Sequence, residues 1–298
     1  MKVAIVGGSG FIGRHLASGL LARGDDVLVL SRNPHGAETR LPHGAVPHLW
    51  SPSDPATLAL TLSGTDAVVN LAGVRVGPRP WTPGRRRAIL ESRLGATEAI
   101  VQALALLPDG KRPRVLVSAS GTDTYTGRDA SPADESTAPT DGFLGRVCLA
   151  WEAAASRARE SGVRVVLVRI GFVLARDAAS LGLYALPFRL GLGGPLGDGR
   201  QWMSWIHVDD LVRLVQFAID DERVDGVLNA VSPEPARQAE VATAIGAAFI
   251  AHQQIYLREW LLVWLVEAVL AFFIGLLAMW QKSKIANTSL TSAPARKF

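Results

Sequence analysis

The side chains of this 298-residue chain that could move protons or hold an anion are few. Ser118 and Ser120 lie in Val117-Ser118-Ala119-Ser120, which closes an apolar run. A hydroxyl there can polarise a carbonyl or hydroxyl group, or it can simply cap the end of a strand. His207 stands in Trp205-Ile206-His207-Val208-Asp209-Asp210, where it can contact a substrate while Asp209 or Asp210 caps the helix that follows. No second His or Cys lies near it in sequence, so no metal site is expected. Cys148 is the only cysteine, which excludes an internal disulfide and points to a reducing compartment.

Anion binding has a stronger signature. Gly7-Gly8-Ser9-Gly10-Phe11-Ile12-Gly13 follows the apolar run Val3–Val6 and opens an amphipathic stretch, Phe11 to Arg23. A glycine turn between strand and helix lets the backbone approach a pyrophosphate, and the N–H groups that open the helix can receive it. Gly7, Gly10, Phe11, Ile12 and Gly13 are therefore expected at a dinucleotide, with Gly13 letting the helix pack on the strand. A second strand ends at Ser31-Arg32. An acid there would hydrogen-bond the ribose 2′-OH of NAD, whereas an arginine accommodates the 2′-phosphate of NADP, so Arg32 favours NADP. Asn70-Leu71-Ala72-Gly73 closes a third strand, where small residues leave room for a ligand; Asn70, Ala72, Gly73 and Ser118 join the expected cofactor residues. Arg85-Arg86-Arg87 reads first as a solvated helix face and second as an anion site.

The elements that must position these residues alternate. Strands are expected at Lys2–Val6, Asp26–Leu30, Ala67–Leu71, Arg114–Ser118, Arg164–Arg169 and Val227–Val231. Helices are expected near 11–23, 83–106 and 144–161, and over Val208–Asp220 and Arg237–Ala248. Pro and Gly mark loops at 33–55, 76–84, 121–142 and 187–199. This rhythm predicts an α/β, Rossmann-like, doubly wound parallel sheet. The expected division is a cofactor core over 1–180, completed by 200–231, and a substrate-side region over 181–250. An apolar helix follows over 255–281, then a polar, disordered tail over 282–298. The net charge of +4 is scattered, with no aromatic-interleaved basic patch, so nucleic acid is not an expected partner. The chain starts with a strand and turn, so neither a secretory signal nor a transit peptide is read there, and a cytoplasmic cofactor domain is expected.

Trp260 to Trp280 is apolar except for Glu267. At the helical rise its length is about 31 Å, enough for a bilayer core. Trp260, Trp264 and Trp280 lie near its ends, as interfacial tryptophans do. A membrane anchor and a helix buried on all sides both fit this run. A single span would export the basic tail, against the positive-inside tendency.

Together these stretches resemble the extended short-chain dehydrogenase/reductase superfamily over residues 1 to about 248. The resemblance rests on GGSGFIG, NLAG, VSAS, Trp151-Glu152, Arg169-Ile170-Gly171 and WIHVDDL at 205–211. Within the superfamily the chain is most similar to the atypical epimerase-family subgroup, through AVVNLAG, ESRL, FRLGLGGPLG and GRQWMSWIHVDDL. The resemblance implies an NADP-dependent oxidoreductase or epimerase-like enzyme acting on a small carbonyl, hydroxyl or sugar-nucleotide substrate. The superfamily moves protons with a tyrosine, a lysine four residues later and a helper serine. Aligned on Glu152, Leu144 falls at the tyrosine position and Cys148 at the lysine position, and neither can play the part. This departure is shared by the subgroup. Ser120 matches the helper serine. Tyr125 matches the second tyrosine of the subgroup's Tyr-Tyr-Gly stretch, with Thr124 in place of the first and Thr126 before Gly127. Tyr125 is the expected acid/base, Asp123 its alternative, and a packing role for Tyr125 stays open. The resemblance stops before residues 249–298. A non-catalytic NADP-binding sensor or scaffold, membrane-tethered or not, is the second function class.

Overall fold

A computed structural model describes residues 1–77, 79–125, 133–139, 141–190 and 192–248. The described residues divide into two compact units, one made of Met1–Tyr184 with Leu196–Glu240, the other including Ala185–Pro195 and 241–248. The first unit carries the sheet and everything described below as a site.

Its strands are β1 (Lys2–Val6), β2 (Asp26–Ser31), β3 (Val46–Leu49), β4 (Ala67–Asn70), β5 (Val115–Gly121), β6 (Arg164–Ile170) and β7 (Phe172–Leu174). Later come β8 (Trp202–Met203), β9 (Trp205–His207), β10 (Gly226–Ala230) and β11 (Ala236–Arg237). The helices are α1 (Phe11–Ala22), α2 (Pro34–Glu38), α3 (Pro55–Leu62), α4 (Pro83–Leu106), α5 (Phe143–Ser156), α6 (Ala179–Arg189) and α7 (Val208–Asp220). Seven strands form one sheet in the order β10-β6-β5-β4-β1-β2-β3, and every pairing in it is parallel. The doubly wound sheet is therefore as expected.

Alternation along the strands explains the two-sided core. Ala4, Val6, Leu28, Leu30, Val68 and Leu116 face one layer with Leu58, Ile100 and Leu104. Val3, Ile5, Val27, Val29, Val69 and Val117 face the other with Leu16, Leu20, Leu211 and Val215. Strands buried on both faces read as unbroken apolar runs, which is why these central strands were legible.

The differences from expectation lie at short or edge elements. Residues 33–55, expected as loop, contain α2 and β3. Asn33 caps α2 by accepting from Gly36 N at 3.0 Å, and β3 tolerates Pro47 because an edge strand can forgo an N–H. Helix α3 was not expected at all. Its signal was Asp54-Pro55: Asp54 accepts from Thr57 N at 3.0 Å, and proline suits the first helical position. Helix α6 was not expected either, and the expected loop from Pro187 begins later, because α6 continues to Arg189 with Pro187 inside it. Helical backbone runs over 238–248, close to the expected helix. Among the described residues no helix is long and apolar enough to cross a membrane. The apolar run 260–280 and the tail 282–298 lie outside the described residues.

Candidate active site

The sheet reverses its winding between β1 and β4, and in such sheets ligands bind at the carboxyl ends of the strands flanking that point. Val6 and Asn70 are register partners there. Gly7 leaves β1 at φ 82°, and a β-carbon on it would stand 2.9 Å from the backbone of Leu71 and Ala72. Only glycine brings the turn this close. Gly13 meets a different limit, since a β-carbon there would lie 2.4 Å from Gly8 Cα. Helix α1 thus begins hard against the turn. Its N-cap is Gly10, and no acidic side chain occupies its first turn. The N–H groups of Phe11, Ile12 and Gly13 are among those a helix start leaves without intrahelical acceptors.

A cleft opens from this turn. Gly7, Ser9 and Gly10 line it with Ser31, Arg32, Asn33, Arg40 and Trp50 at one end, and Ala72, Gly73, Val74, Glu91 and Ser92 at the other. At the β2 end, Ser31 Oγ donates to Asn33 O at 3.1 Å and accepts from Asn33 N at 3.2 Å, which shapes the strand exit. Arg40 is held across α2 by donating Nη2 to Gly36 O at 2.9 Å. Two guanidinium groups therefore border the cleft end where β2 terminates.

Below the other end lies a buried polar core. Asn70 Nδ2 donates to Thr97 Oγ1 at 2.8 Å, and Trp151 Nε1 donates to the same oxygen at 2.9 Å. Asn70 Oδ1 accepts from Ala72 N at 3.2 Å, so the side chain aims the strand exit. Ser118 is fully buried, with Oγ 3.4 Å from Asn70 Nδ2. Two residues further along β5, Ser120 Oγ donates to Glu152 Oε1 at 2.6 Å. Arg169 grips the same carboxylate through Nε at 2.8 Å and Nη2 at 2.9 Å. Its Nη1 donates to Tyr125 Oη at 2.9 Å, and Tyr125 donates onward to Asn229 Oδ1 at 2.5 Å. The hydrogen bonds to Glu152 push the Arg169 pKa up. Ser120 and Tyr125 are thus joined through one arginine–glutamate pair.

Asp123 and Cys148 form a second group beside it. Asp123 Oδ2 and Cys148 Sγ each lie 3.3 Å from the point where a β-carbon on Gly121 would sit. Burial raises the Asp123 carboxyl above the usual carboxylate range. Burial also raises the Cys148 thiol, and the charge of Asp123 adds to that. The Arg93 guanidinium packs over the Trp151 ring at 5.1 Å and donates Nη1 to Ile89 O at 2.9 Å and Val74 O at 3.2 Å. Burial lowers its pKa, while Cys148 and Asp123 oppose that. Arg93 also touches the cleft wall, 3.1 Å from where a Gly73 β-carbon would be.

The NAD dependent epimerase/dehydratase family matches residues 3–230, the span that contains the turn, the cleft and both polar groups. The chain belongs to this family. A curated family relative, the chloroplastic SDR39U1 homologue of Arabidopsis thaliana, is 37% identical over 83% of this chain and 70% of its own length. Human SDR39U1, also named an epimerase family protein, is 38% identical over 83% and 80% of the two chains. A crystal structure of human SDR39U1 isoform 2 with NADPH superposes at a TM-score of 0.72, with 37% identity, over 83% of this chain and 80% of that one. These similarities agree with the atypical epimerase-family resemblance carried by the sequence stretches.

Within this family framework the expected site residues separate into groups. Gly7, Gly10, Ser31, Arg32, Ala72 and Gly73 line one cleft. Gly13 supports it through packing, while Asn70 and Ser118 lie beneath it and do not border it. The expected capping by Asp209 or Asp210 is corrected. His207 is the N-cap of α7, its Nδ1 accepting from Asp209 N at 3.3 Å, and both aspartates sit in the first turn. An imidazole nitrogen reaches the N2 amide from this position as a capping oxygen would. Arg40 and Trp50 were not expected in the cleft, because they come from the stretch read as loop. Arg93 was named only within the ESRL stretch; its burial against Trp151 depends on α5 crossing α4.

Proposed function

We propose that this chain is an NADP-dependent reductase or epimerase-like enzyme acting on a small carbonyl, hydroxyl or sugar-nucleotide substrate. The observation that carries the reading is a cleft lined by the helix-opening glycine turn and by Arg32 and Arg40. The residues fit the cofactor: the open N–H groups at the start of α1 suit a pyrophosphate, and two guanidinium groups suit a 2′-phosphate. The NADPH bound by human SDR39U1 supports the same choice.

When bound, NADPH supplies a hydride. The proton has to come from the chain. Tyr125 already donates to Asn229 and accepts from Arg169, and Ser120 already donates to Glu152. Asp123 is the alternative donor. Desolvation lets its carboxyl keep a proton to higher pH than an ordinary carboxylate, and it lies beside the position where the superfamily's lysine is replaced by Cys148. Asp123 Oδ2 would then protonate the developing alkoxide, with the Arg93 guanidinium nearby to stabilise the carboxylate left behind.

The test is binding first and turnover second. The full chain is expected to bind NADPH more tightly than NADH, measured by nicotinamide fluorescence, and to oxidise NADPH with at least one member of a carbonyl and sugar-nucleotide panel. Asp123→Asn is expected to lower turnover about a hundredfold, and Tyr125→Phe by less than tenfold. If neither dinucleotide binds, the reading fails. Leu144 and Cys148, which cannot serve as the tyrosine–lysine pair, favour a second reading as a non-catalytic NADP-binding sensor or scaffold. Tight binding without turnover across the panel would select it. Membrane tethering of either form, with a cytoplasmic cofactor domain, rests on the apolar sequence 260–280, and recovery of the full chain in the soluble fraction would remove it.

A further inference from the structure

The connection from β4 into α4 concentrates charge in a way the cofactor cleft does not use. Residues 71–90 contain five arginines (Arg75, Arg79, Arg85, Arg86 and Arg87) and no acidic residue, a local charge of +5 against +4 for the whole chain. None of the five is in an ion pair with a described carboxylate. Three of them ride on the first turns of α4, beside the positive end of its dipole, with no acidic side chain in the first turn to offset them.

Part of the cluster is built in. Arg85 donates Nη2 to Arg75 O, and its Nε is buried without a hydrogen-bond partner, the sole such side-chain atom among the described residues. The Arg86 guanidinium stacks over the Phe143 ring at 5.5 Å, and Phe143 makes an edge contact with Trp81 at 5.6 Å. Trp81 Nε1 donates to Val76 O at 3.1 Å, which pins the connection. Arg75, Arg79, Arg86 and Arg87 are exposed. The cluster follows directly from Gly73 and Val74, which line the cleft, and α4 and α5 both begin at the carboxyl edge of the sheet here.

We propose that the β4–α4 connection is a second anion site, separate from the cofactor's own phosphate positions, that receives a compact multivalent oxyanion carried by the substrate, a phosphate, diphosphate or polycarboxylate. Arg79, Arg86 and Arg87 supply the charge, and the Trp81–Phe143 pair supplies an apolar neighbour for the part of the molecule next to it. This assignment rests on reading the adjoining cleft as a cofactor site, since that is what makes the oxyanion part of a substrate.

The experiment is calorimetric titration of inorganic pyrophosphate into the full chain, with saturating NADPH present so that the cofactor's phosphate positions are filled. Pyrophosphate is expected to bind, to weaken as salt rises, and to weaken at least tenfold in the R86Q/R87Q double variant. The R86K/R87K variant should stay within about threefold of wild type, because the charges remain. NADPH binding and the thermal midpoint should be unchanged in both variants, which places the loss at the new site. Equal affinity in wild type and R86Q/R87Q, or release of pyrophosphate by NADPH, would overturn the proposal. So would binding to phosphatidylglycerol vesicles that pyrophosphate does not compete away, because the cluster would then be a membrane-surface patch. Should NADPH itself not bind, the cofactor reading fails while the pyrophosphate comparison between variants still scores the anion site.

Discussion

Ser120 Oγ donates a hydrogen bond to Glu152 Oε1 at 2.6 Å, the same oxygen that accepts from Arg169 Nε at 2.8 Å. The serine that the superfamily would place beside a substrate is therefore fastened to a buried ion pair, with Glu152 and Arg169 each less than a tenth exposed. Removing one partner of such a pair leaves the other charge buried alone, at a cost of about 3–5 kcal/mol. Glu152→Gln is expected to lower the thermal midpoint by on the order of 10 °C. A shift under about 2 °C would show that water compensates Arg169 and that the network contributes little.

Arg40 follows the short helix α2 and lines the cleft together with the exposed Arg32. Charge-assisted hydrogen bonds are worth about 1.5–3 kcal/mol each. Arg40→Ala should therefore weaken NADPH binding at least tenfold while leaving NADH nearly unchanged, measured by nicotinamide fluorescence. A parallel loss for both dinucleotides would assign Arg40 to the fold of α2 instead of the 2′-phosphate.

Burial raises the Asp123 carboxyl, so its folded-state pKa lies above its unfolded one. Between those two values the folded chain holds a proton that the unfolded chain has lost. Stability from this group is thus fully present below the unfolded value and falls as pH rises through the raised folded value. Urea denaturation from about pH 4 to neutrality should show this decline in wild type and a flatter profile in Asp123→Asn. Identical profiles would mean that the carboxylate is not penalised by burial.

His207 caps α7 with a ring nitrogen and is half-exposed. His207→Ala should cost about 1 kcal/mol, and His207→Ser should restore it, because a hydroxyl caps equally well. Turnover that is lost in both variants would give the ring a substrate role besides the cap.

Much of the fold was open to reading because its central strands are buried on both faces. Val3–Val6, Ala67–Val69 and Val115–Val117 are apolar without interruption, and each ends in small or polar residues at the ligand edge. The glycine turn was legible for the same local reason, since Gly7 and Gly13 are demanded by backbone approach within one βα unit. Edge strand β3 and the short helices α2 and α3 were missed: their signals are single caps, Asn33 and Asp54, and not a period.

What the residues determined alone was therefore local: a βα turn fit for a dinucleotide and an arginine after β2, to which the family resemblance added Leu144 and Cys148 in place of the tyrosine–lysine pair. Tertiary structure decided which side chains meet. Ser120, Tyr125, Glu152, Arg169 and Asn229 come from β5, the turn after it, α5, β6 and β10, and their contacts span up to 104 residues of sequence. Sequence spacing carries no information about such a meeting, because it is made by the parallel register of β5, β6 and β10 and by α5 lying across them. The same packing leaves the five arginines after β4 without a carboxylate partner among the described residues. Their order in the chain did not distinguish a solvated helix face from an anion site; the proposed anion site rests on their shared place after the cleft-lining Gly73 and Val74.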